Sequence, residues 1–155
     1  MNLTQVLQSV DLFEELAADE IEKVACICSE KRFSKDQIIT KEGEQGNELY
    51  IITEGFMEVL LGEKPSSTAR VVDSLGSGQV LGEMALLDQG PRSASLKDIR
   101  EPTILQVNQR ANFENLCQEN THIGYIVMRN LATDLSFKLR HRNLDQRQAV
   151  CHGHL

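Results

Sequence analysis

The spacing of apolar residues divides the chain into three segments, of which the first, residues 1–32, is predicted to be helical. Apolar residues recur there at intervals of three and four, as on one face of an amphipathic helix. A second helix is predicted to begin after Asp19, because acidic residues near a helix start interact favourably with the helix dipole. The apolar positions are Leu3, Val6, Leu7 and Val10 in the first helix, and Ile21, Val24, Ala25 and Ile27 in the second.

Between residues 33 and 107 the pattern changes to short apolar runs that are rich in β-branched residues. Runs of this kind, separated by turn residues, indicate a β-sandwich or a β-barrel. Gly43 and Gly46 are predicted to occupy tight turns that require a positive φ. We predict a mainly β fold with flanking helices, in which a small β-barrel of the jelly-roll type lies between the N-terminal helices and a long C-terminal helix.

The helical period returns after residue 107. A short helix is predicted over residues 111–118, and a long helix from about Thr121 to Asp145. The apolar positions of the long helix lie close to a heptad repeat, which favours a partner helix, although the same positions could pack on the barrel instead. These positions are Ile123, Ile126, Val127, Leu131, Leu135, Leu139 and Leu144.

The length of the chain fits one domain, which we place at residues 1–145. Its parts are the N-terminal helices at 1–32, the barrel at 33–107 and the C-terminal helices at 108–145. Residues 146–155 have no periodicity and are predicted to form a disordered tail.

The composition and charge limit the class of protein. No apolar run approaches the roughly 18 residues of a membrane helix, and the N-terminus lacks the basic flank and apolar stretch of a signal peptide. We therefore expect a cytoplasmic protein without a membrane partner. The net charge of −7 counts against a general nucleic-acid binder, because the affinity of such proteins depends on neutralising many phosphates.

The cysteines form no paired set of metal ligands, and Cys151, His152 and His154, which could bind a metal, are interpreted as part of a spare C-terminal tail. A cupin-type enzyme, which is also a small β-barrel, needs histidines and a carboxylate inside the barrel to hold its metal. All four histidines lie after the predicted barrel, so we expect neither a metal nor a catalytic residue. The cysteines, which we expect to be reduced structural thiols, are Cys26, Cys28, Cys117 and Cys151.

The segment from residue 78 to residue 95 carries the candidate chemistry. Residues 82–87 predict a single helical turn opened by Gly82, and the free N–H groups at such a start can donate to an anion. A glycine also allows a ligand to approach the backbone closely. Arg92 follows a turn, so the chain can fold back and bring the guanidinium to the same anion. The planar, permanently charged guanidinium suits two oxygens of a phosphate.

Glu83 complements this arrangement. A carboxylate is unfavourable against a phosphate, but it accepts a hydrogen bond from a neighbouring hydroxyl, such as the ribose 2′-OH that acidic residues bind in other nucleotide sites. Taken singly, Glu83 could merely stabilise a helix start, and Arg92 could be a solvated surface residue. In this order and inside a small β-barrel, the two residues favour a sugar cyclic phosphate as the ligand.

The segment resembles the phosphate-binding cassette of the cyclic-nucleotide-binding domain family. This family includes the regulatory subunit of protein kinase A, bacterial catabolite activator proteins and cyclic-nucleotide-gated channels. The cassette pattern is Gly-Glu-aliphatic-Ala-Leu followed by Arg-(Ala/Ser/Thr)-Ala, which corresponds here to Gly82–Leu86 and Arg92–Ala94. The stretch Gly43–Ile52 with Gly55 is similar to the barrel signature of the family, although Asn47 stands where aspartate is usual.

The resemblance implies that Glu83 binds the ribose 2′-OH and that Arg92 binds the cyclic phosphate. In this family a hydroxyl after the arginine, which Ser93 supplies here, often binds guanine, but serine also occurs at that position in cAMP receptors. We expect cAMP rather than cGMP as the ligand, and no cofactor. The implied backbone or hydroxyl contacts are Gly82, Met84, Ala85, Ser93 and Ala94, the residues near the base are Val72 and Leu75, and the candidates for a base lid are Lys138, Leu139 and Arg142.

The function that we expect is a stand-alone cyclic-nucleotide sensor that is not an enzyme and that regulates a separate, unidentified protein through its C-terminal helix. Only residues 146–155 follow the last predicted helix, too few for a helix-turn-helix domain, so direct DNA binding is not expected. A homodimer along Leu131, Leu135 and Leu139 is a further hypothesis. The alternatives are a nucleotide-independent scaffold of the same fold and a receptor for another cyclic nucleotide, such as a cyclic dinucleotide.

Overall fold

The structure, a computed structural model, describes most of the chain. The described residues are 2–41, 43–61, 70–88, 91–92, 95–99 and 102–151. The side chains of residues 70, 72, 73 and 143–151 lie outside this description. Within the described ranges, no helix combines the length and apolarity that crossing a bilayer requires.

Two short helices and a 3₁₀ turn form the N-terminal segment, as the apolar spacing predicted. They are α1 (Leu3–Gln8), the N-terminal 3₁₀ helix (Asp11–Phe13) and α2 (Ala18–Cys26). Asn2 caps α1, because its backbone N–H donates to Gln5 Oε1 at 3.0 Å and its Oδ1 accepts from the Gln5 N–H at 2.9 Å. In α2, Ile21 and Val24 are buried, so the predicted apolar face does pack against the core.

Within the described residues, eight strands form two antiparallel four-stranded sheets, which confirms the mainly β fold. They are β1 (Ser29–Phe33), β2 (Ile38–Thr40), β3 (Glu48–Glu54), β4 (Met57–Leu61), β5 (Arg70–Leu75), β6 (Val80–Leu81), β7 (Ser95–Asp98) and β8 (Thr103–Gln109). The strand order is β1-β8-β3-β6 in the first sheet and β2-β7-β4-β5 in the second. The first strand, β1, begins before the boundary predicted at residue 33. The sequence did not indicate this strand, because β1 is an exposed edge strand and carries no apolar run.

The two sheets do not close into the predicted barrel. Among the described strands, each hydrogen-bonded ladder joins members of the same sheet. The sheets instead pack face to face around one apolar cluster, so the architecture is a jelly-roll-like sandwich rather than a closed barrel. The buried members of this cluster are Tyr50, Ile52, Leu81, Leu105 and Val107 from the first sheet, and Met57 and Leu96 from the second.

Strand β3 lies between the two cores of the molecule. Successive side chains of a strand point to opposite faces of its sheet. Tyr50 and Ile52 therefore belong to the cluster between the sheets, whereas Leu49 and Ile51 pack against the helices. The helical core includes a stacked pair formed by Phe13 and Phe113, whose ring centroids are 6.4 Å apart. Strand β3 thus connects the core between the sheets to the core formed with the helices.

Two helices follow the last strand, α3 (Arg110–Glu119) and α4 (Thr121–Cys151). The sequence placed the end of the long helix at Asp145 and a disordered tail at 146–155. The structure continues α4 to Cys151, so this boundary was too early, and residues 152–155 lie outside the described residues.

The apolar stripe of α4 divides into a buried part and an exposed part. Leu131 is 1 % exposed and belongs to the helical core, and Leu135 packs against the same core. Leu139, by contrast, is 59 % exposed. The first part of the stripe therefore packs on the domain itself, and the predicted dimer seam cannot include Leu131 in this arrangement. The side chain of Leu144 lies outside the described residues.

The N-terminal segment holds the middle of α4 through polar contacts. The Asn130 side-chain amide donates to the carbonyls of Leu12 at 3.0 Å and Glu14 at 2.9 Å. Arg129 forms an ion pair with Glu15. These contacts satisfy carbonyls at the end of the N-terminal 3₁₀ helix and fix the direction in which α4 leaves the domain.

A second polar contact, between Glu20 and His122, predicts how stability changes with pH. The hydrogen bond from the Ala17 N–H lowers the pKa of Glu20 below its ordinary value of 4.5, and burial opposes this while His122 and Lys23 reinforce it. A carboxyl with a depressed pKa stabilises the fold above its unfolded pKa and loses that contribution as the pH falls through the folded pKa. We expect Glu20→Gln to flatten the loss of stability below about pH 4.5.

Urea unfolding of the wild type and of Glu20→Gln at several pH values measures this contribution. The variant keeps an acceptor for Ala17, so its stability at low pH should approach that of the wild type. Identical pH dependence of the two unfolding free energies would show that Glu20 does not contribute in this way.

Candidate functional site

The predicted helical turn is present as a 3₁₀ helix, here called the cassette helix (Glu83–Leu86). It follows Gly82, whose φ of +76° lies in the left-handed region that favours glycine. Ala85 and Leu86 are buried and anchor the turn, whereas Met84 is exposed. The cassette helix is thus held by its last two residues, and its first residue, Glu83, is left at the edge of the domain.

Arg92 is fixed from both its backbone and its side chain. The Arg92 N–H donates to the Glu44 carbonyl at 2.6 Å, and the Arg92 carbonyl accepts from the Gly43 N–H at 2.8 Å. Its Nη2 donates to the Glu48 carbonyl at 2.8 Å, and the guanidinium carbon lies 5.4 Å from the centroid of the Tyr50 ring. The guanidinium is therefore positioned by the start of β3 and by the turn before it.

Two glycines make room for this guanidinium. A Cβ on Gly46 would lie 2.6 Å from Arg92 Nε. A Cβ on Gly82 would collide with Arg92 Nη1 and lie 2.8 Å from the Glu48 carbonyl oxygen. Gly43 has the positive φ that the sequence predicted, but Gly46 does not. Glycine is required at position 46 by the close approach of the Arg92 guanidinium instead.

Glu83 faces α4 rather than open solvent. Its side chain is 20 % exposed, and its Oε1 lies 3.4 Å from Lys138 Nζ. Lys138 also pairs with Asp134 one turn earlier on α4, at 2.9 Å. Partial burial acts to lower the pKa of Lys138, but the hydrogen bond that its ammonium donates to Asp134 and the charge of Glu83 outweigh it, so this pKa lies above its ordinary value. Lys138 is therefore fully charged at neutral pH.

A cavity of about 310 Å³ lies beside Glu83. It is bordered by the N-terminal 3₁₀ helix, the turn between β5 and β6 and the middle of α4. Three predicted site residues, Leu75, Glu83 and Lys138, line it, and Arg92 does not. The other lining residues are Val10, Asp11, Leu12, Gly78, Gln79, Val80, Asn130, Leu131 and Asp134.

The predicted site residues are thus only partly brought together. Gly82 lies against the Arg92 guanidinium, and the adjoining Glu83 reaches the cavity. Leu139 and Arg142 are exposed on α4 and line no part of the cavity. Ser93, Ala94 and the side chain of Val72 lie outside the described residues.

Sequence analysis named Lys138 only as a candidate for a base lid, and it missed the other two polar residues that α4 presents to the cavity, Asn130 and Asp134. Asn130, Asp134 and Lys138 follow one another at intervals of four, so they lie on one face of the helix. That spacing is visible in the sequence, but only the packing of α4 shows that this face meets the cassette helix. The apolar residues before α2 gave no indication that they border a cavity.

The described residues show no metal site. Within them, no three potential ligands among histidine, cysteine, aspartate and glutamate are grouped to hold a metal ion. Cys26, Cys28 and Cys117 are free. Burial raises the pKa of the Cys28 thiol to about 11, so this side chain stays protonated and is unreactive at neutral pH.

Comparison with known proteins places this geometry in context. The model of one protein family, described as the cyclic nucleotide-binding domain, matches residues 30–120. The match includes both sheets, Gly82, Glu83 and Arg92.

Two curated relatives are similar in sequence. The cAMP-dependent protein kinase regulatory subunit of Dictyostelium discoideum is 30% identical over 131 residues, which cover 83% of this chain and 37% of that protein. The cGMP-dependent protein kinase of Eimeria tenella is 27% identical over 118 residues, which cover 76% of this chain and 11% of that protein. The chain therefore spans well under half the length of either relative.

A solved structure shows the same architecture. The catabolite activator protein of Thermus thermophilus superposes with a TM-score of 0.77 at 26% sequence identity. The superposition covers 90% of this chain and 63% of that one. Because it covers so much of this chain, the likeness extends beyond the sheets to the flanking helices.

Proposed function

This chain belongs to the cyclic nucleotide-binding domain family, and from that premise we propose that it is a sensor that binds cAMP in preference to cGMP. Its role is regulatory rather than enzymatic. The observation that carries the proposal is the Arg92 guanidinium, which lies between Gly46 and Gly82 and directly beside the residue that precedes Glu83. A fixed cation next to a carboxylate suits a ligand with a phosphate beside a sugar hydroxyl.

In this proposal the nucleotide lies across the cassette helix. The cyclic phosphate meets the planar guanidinium of Arg92, whose charge-assisted hydrogen bonds are stronger than neutral ones. The ribose 2′-OH donates to Glu83. Met84, Ala85 and the two residues after Arg92, Ser93 and Ala94, supply the remaining contacts close to the phosphate and sugar.

The base extends from Glu83 into the cavity. The volume of the cavity, about 310 Å³, lies at the lower end of the roughly 300–1,000 Å³ that is typical of small-molecule sites. Leu75 offers an apolar surface on the sheet side, and Val72 precedes it on the same strand. The two curated relatives carry cGMP and cAMP, respectively, in their names, and cAMP is the ligand that we propose for this chain.

The output of the sensor is a change at α4. A ligand shifts the position of a helix only by binding one arrangement more tightly than the other. Phe137 and Leu139 are exposed on the outer half of α4 and offer an apolar surface to a separate protein or to a second copy of the chain. Sedimentation over a wide range of concentrations distinguishes the second copy, since only self-association produces a dimer in the purified protein.

Calorimetric titration of the purified, nucleotide-free protein with cAMP, cGMP and 5′-AMP tests the proposal. We expect a Kd in the micromolar range or below for cAMP, weaker binding of cGMP, and much weaker binding of 5′-AMP, whose phosphate is not held in a ring. Tighter binding of cGMP would reverse the base preference. A folded protein that binds none of the three would instead favour a nucleotide-independent scaffold, and a cyclic dinucleotide would be the next ligand to titrate.

A further inference from the structure

Lys138 connects the C-terminal helix to the cassette helix across a long separation in sequence. Its Nζ lies 3.4 Å from Glu83 Oε1 and 2.9 Å from Asp134 Oδ2. Asp134 is on the same helix, so its contact only orients the lysine side chain. The contact with Glu83, in contrast, joins two elements that could separate.

The position of this ion pair conflicts with an open nucleotide site. Glu83 and Lys138 line the same cavity, Glu83 from the cassette helix and Lys138 from α4. A sugar that reaches Glu83 from this cavity must enter the space in which the ammonium lies. The carboxylate that is proposed to accept the ribose hydroxyl is therefore already occupied by a cation of the same chain.

We propose that Lys138 is an autoinhibitory latch, which competes with the nucleotide for Glu83 and holds α4 against the cassette helix until a ligand displaces it. The inference rests on the proposed function of Glu83 as the ribose ligand. It gives Lys138 a role opposite in sign to that of a base lid. A lid residue contacts the bound nucleotide, so its removal weakens binding, whereas removal of a latch strengthens binding.

The size of the effect follows from the surroundings of the pair. The Lys138 side chain is 59 % exposed and that of Glu83 is 20 % exposed. Solvent screens an ion pair of this kind, so its contribution to an equilibrium is modest. Loss of the latch should tighten nucleotide binding about twofold to fivefold, the range that partly exposed pairs give.

The first test compares Lys138→Met with the wild type by calorimetric titration with cAMP. Methionine keeps the length and helix propensity of lysine but removes its charge. Arg140→Met is the matched control, because it removes one positive charge from an exposed position of the same helix. We expect tighter binding in Lys138→Met and unchanged or slightly weaker binding in Arg140→Met, since an anionic ligand is attracted by any nearby cation. Unchanged or weaker binding in Lys138→Met would overturn the latch.

A second test needs no nucleotide and so separates the latch from the proposed function. Hydrogen exchange of the backbone amides at 132–142 reports how often this part of α4 opens. In nucleotide-free protein, exchange should be faster in Lys138→Met than in the wild type and unchanged in Arg140→Met. Equal exchange in all three proteins would overturn the latch even if cAMP binds. If the wild type binds neither cAMP nor cGMP, the proposed function fails, and faster exchange in Lys138→Met would still support the contact between Lys138 and Glu83 as a restraint on α4.

Discussion

Replacing Arg92 with alanine is expected to weaken cAMP binding by about a hundredfold or more, because hydrogen bonds to charged groups contribute about 1.5–3 kcal/mol each and a guanidinium can make two to a phosphate. Calorimetric titration of the wild type and the variant with cAMP measures the ratio of the two dissociation constants.

Arg92→Lys is the informative control for this prediction. Lysine retains the positive charge but lacks the planar fork, so its affinity should lie between those of the wild type and the alanine variant. The Arg92 side chain also donates to the Glu48 carbonyl and lies over Tyr50, so thermal unfolding must show that each variant is folded. Affinity of folded Arg92→Ala within about threefold of the wild type would mean that the phosphate binds elsewhere.

Gly82→Ala is expected to lower the free energy of unfolding by about 2–5 kcal/mol, as a sum of two costs. An alanine in the left-handed region costs about 1–2 kcal/mol. Its Cβ would also lie 2.8 Å from the Glu48 carbonyl oxygen and collide with the Arg92 guanidinium, and overpacking of this kind costs about 1–3 kcal/mol. Because the collision displaces Arg92, cAMP binding should be lost together with stability.

Gly43→Ala separates the two costs. Gly43 has a φ of +90°, but apart from its chain neighbours no atom of the described residues lies within 4 Å of the position that a Cβ would take. This variant should therefore show only the backbone strain of about 1–2 kcal/mol. Urea unfolding of both variants gives the comparison. If Gly82→Ala costs no more than Gly43→Ala, then the close approach of Arg92 to Gly82 does not limit the site.

The parts of the fold that sequence analysis predicted are those with a clear apolar period. In β3, Leu49 and Ile51 lie on one face of the strand, and Tyr50 and Ile52 lie on the other. Because all four residues are apolar, both faces of the strand must be covered by apolar cores. The N-terminal helices and the beginning of α4 showed the helical spacing equally clearly. The turn at Gly82 was predictable because its glycine opens a short run that ends in buried apolar residues.

The parts that were missed depend on contacts or on weak end signals. Strand β1 has a charged sequence, and only its ladder with β8 makes it a strand. The end of α4 was placed at the loss of periodicity, but an exposed helix needs none, and the first glycine or proline after Thr121 other than Gly124 is Gly153. Without a glycine or proline to end it, the helix continues past Asp145. Gly153 is therefore a better sequence signal for the end of α4 than the loss of apolar periodicity.

The candidate site shows the same division between local and distant information. Gly82, Glu83 and Arg92 lie within one short segment, so their spacing and chemistry could be recognised together. The contact of Glu83 with Lys138 joins two residues that lie far apart in sequence, and no local pattern predicts it. The cavity is likewise formed by three separate segments, and the hydrogen bond that Asn130 donates to Leu12 joins two of them.

The most direct test of the central claim is a crystal structure of the protein with cAMP. We predict that the phosphate oxygens lie within hydrogen-bonding distance of the Arg92 guanidinium, that the ribose O2′ lies within the same distance of Glu83, and that Lys138 Nζ has left that carboxylate. A nucleotide bound away from Arg92 and Glu83, or a site that stays empty at saturating cAMP, would contradict the account.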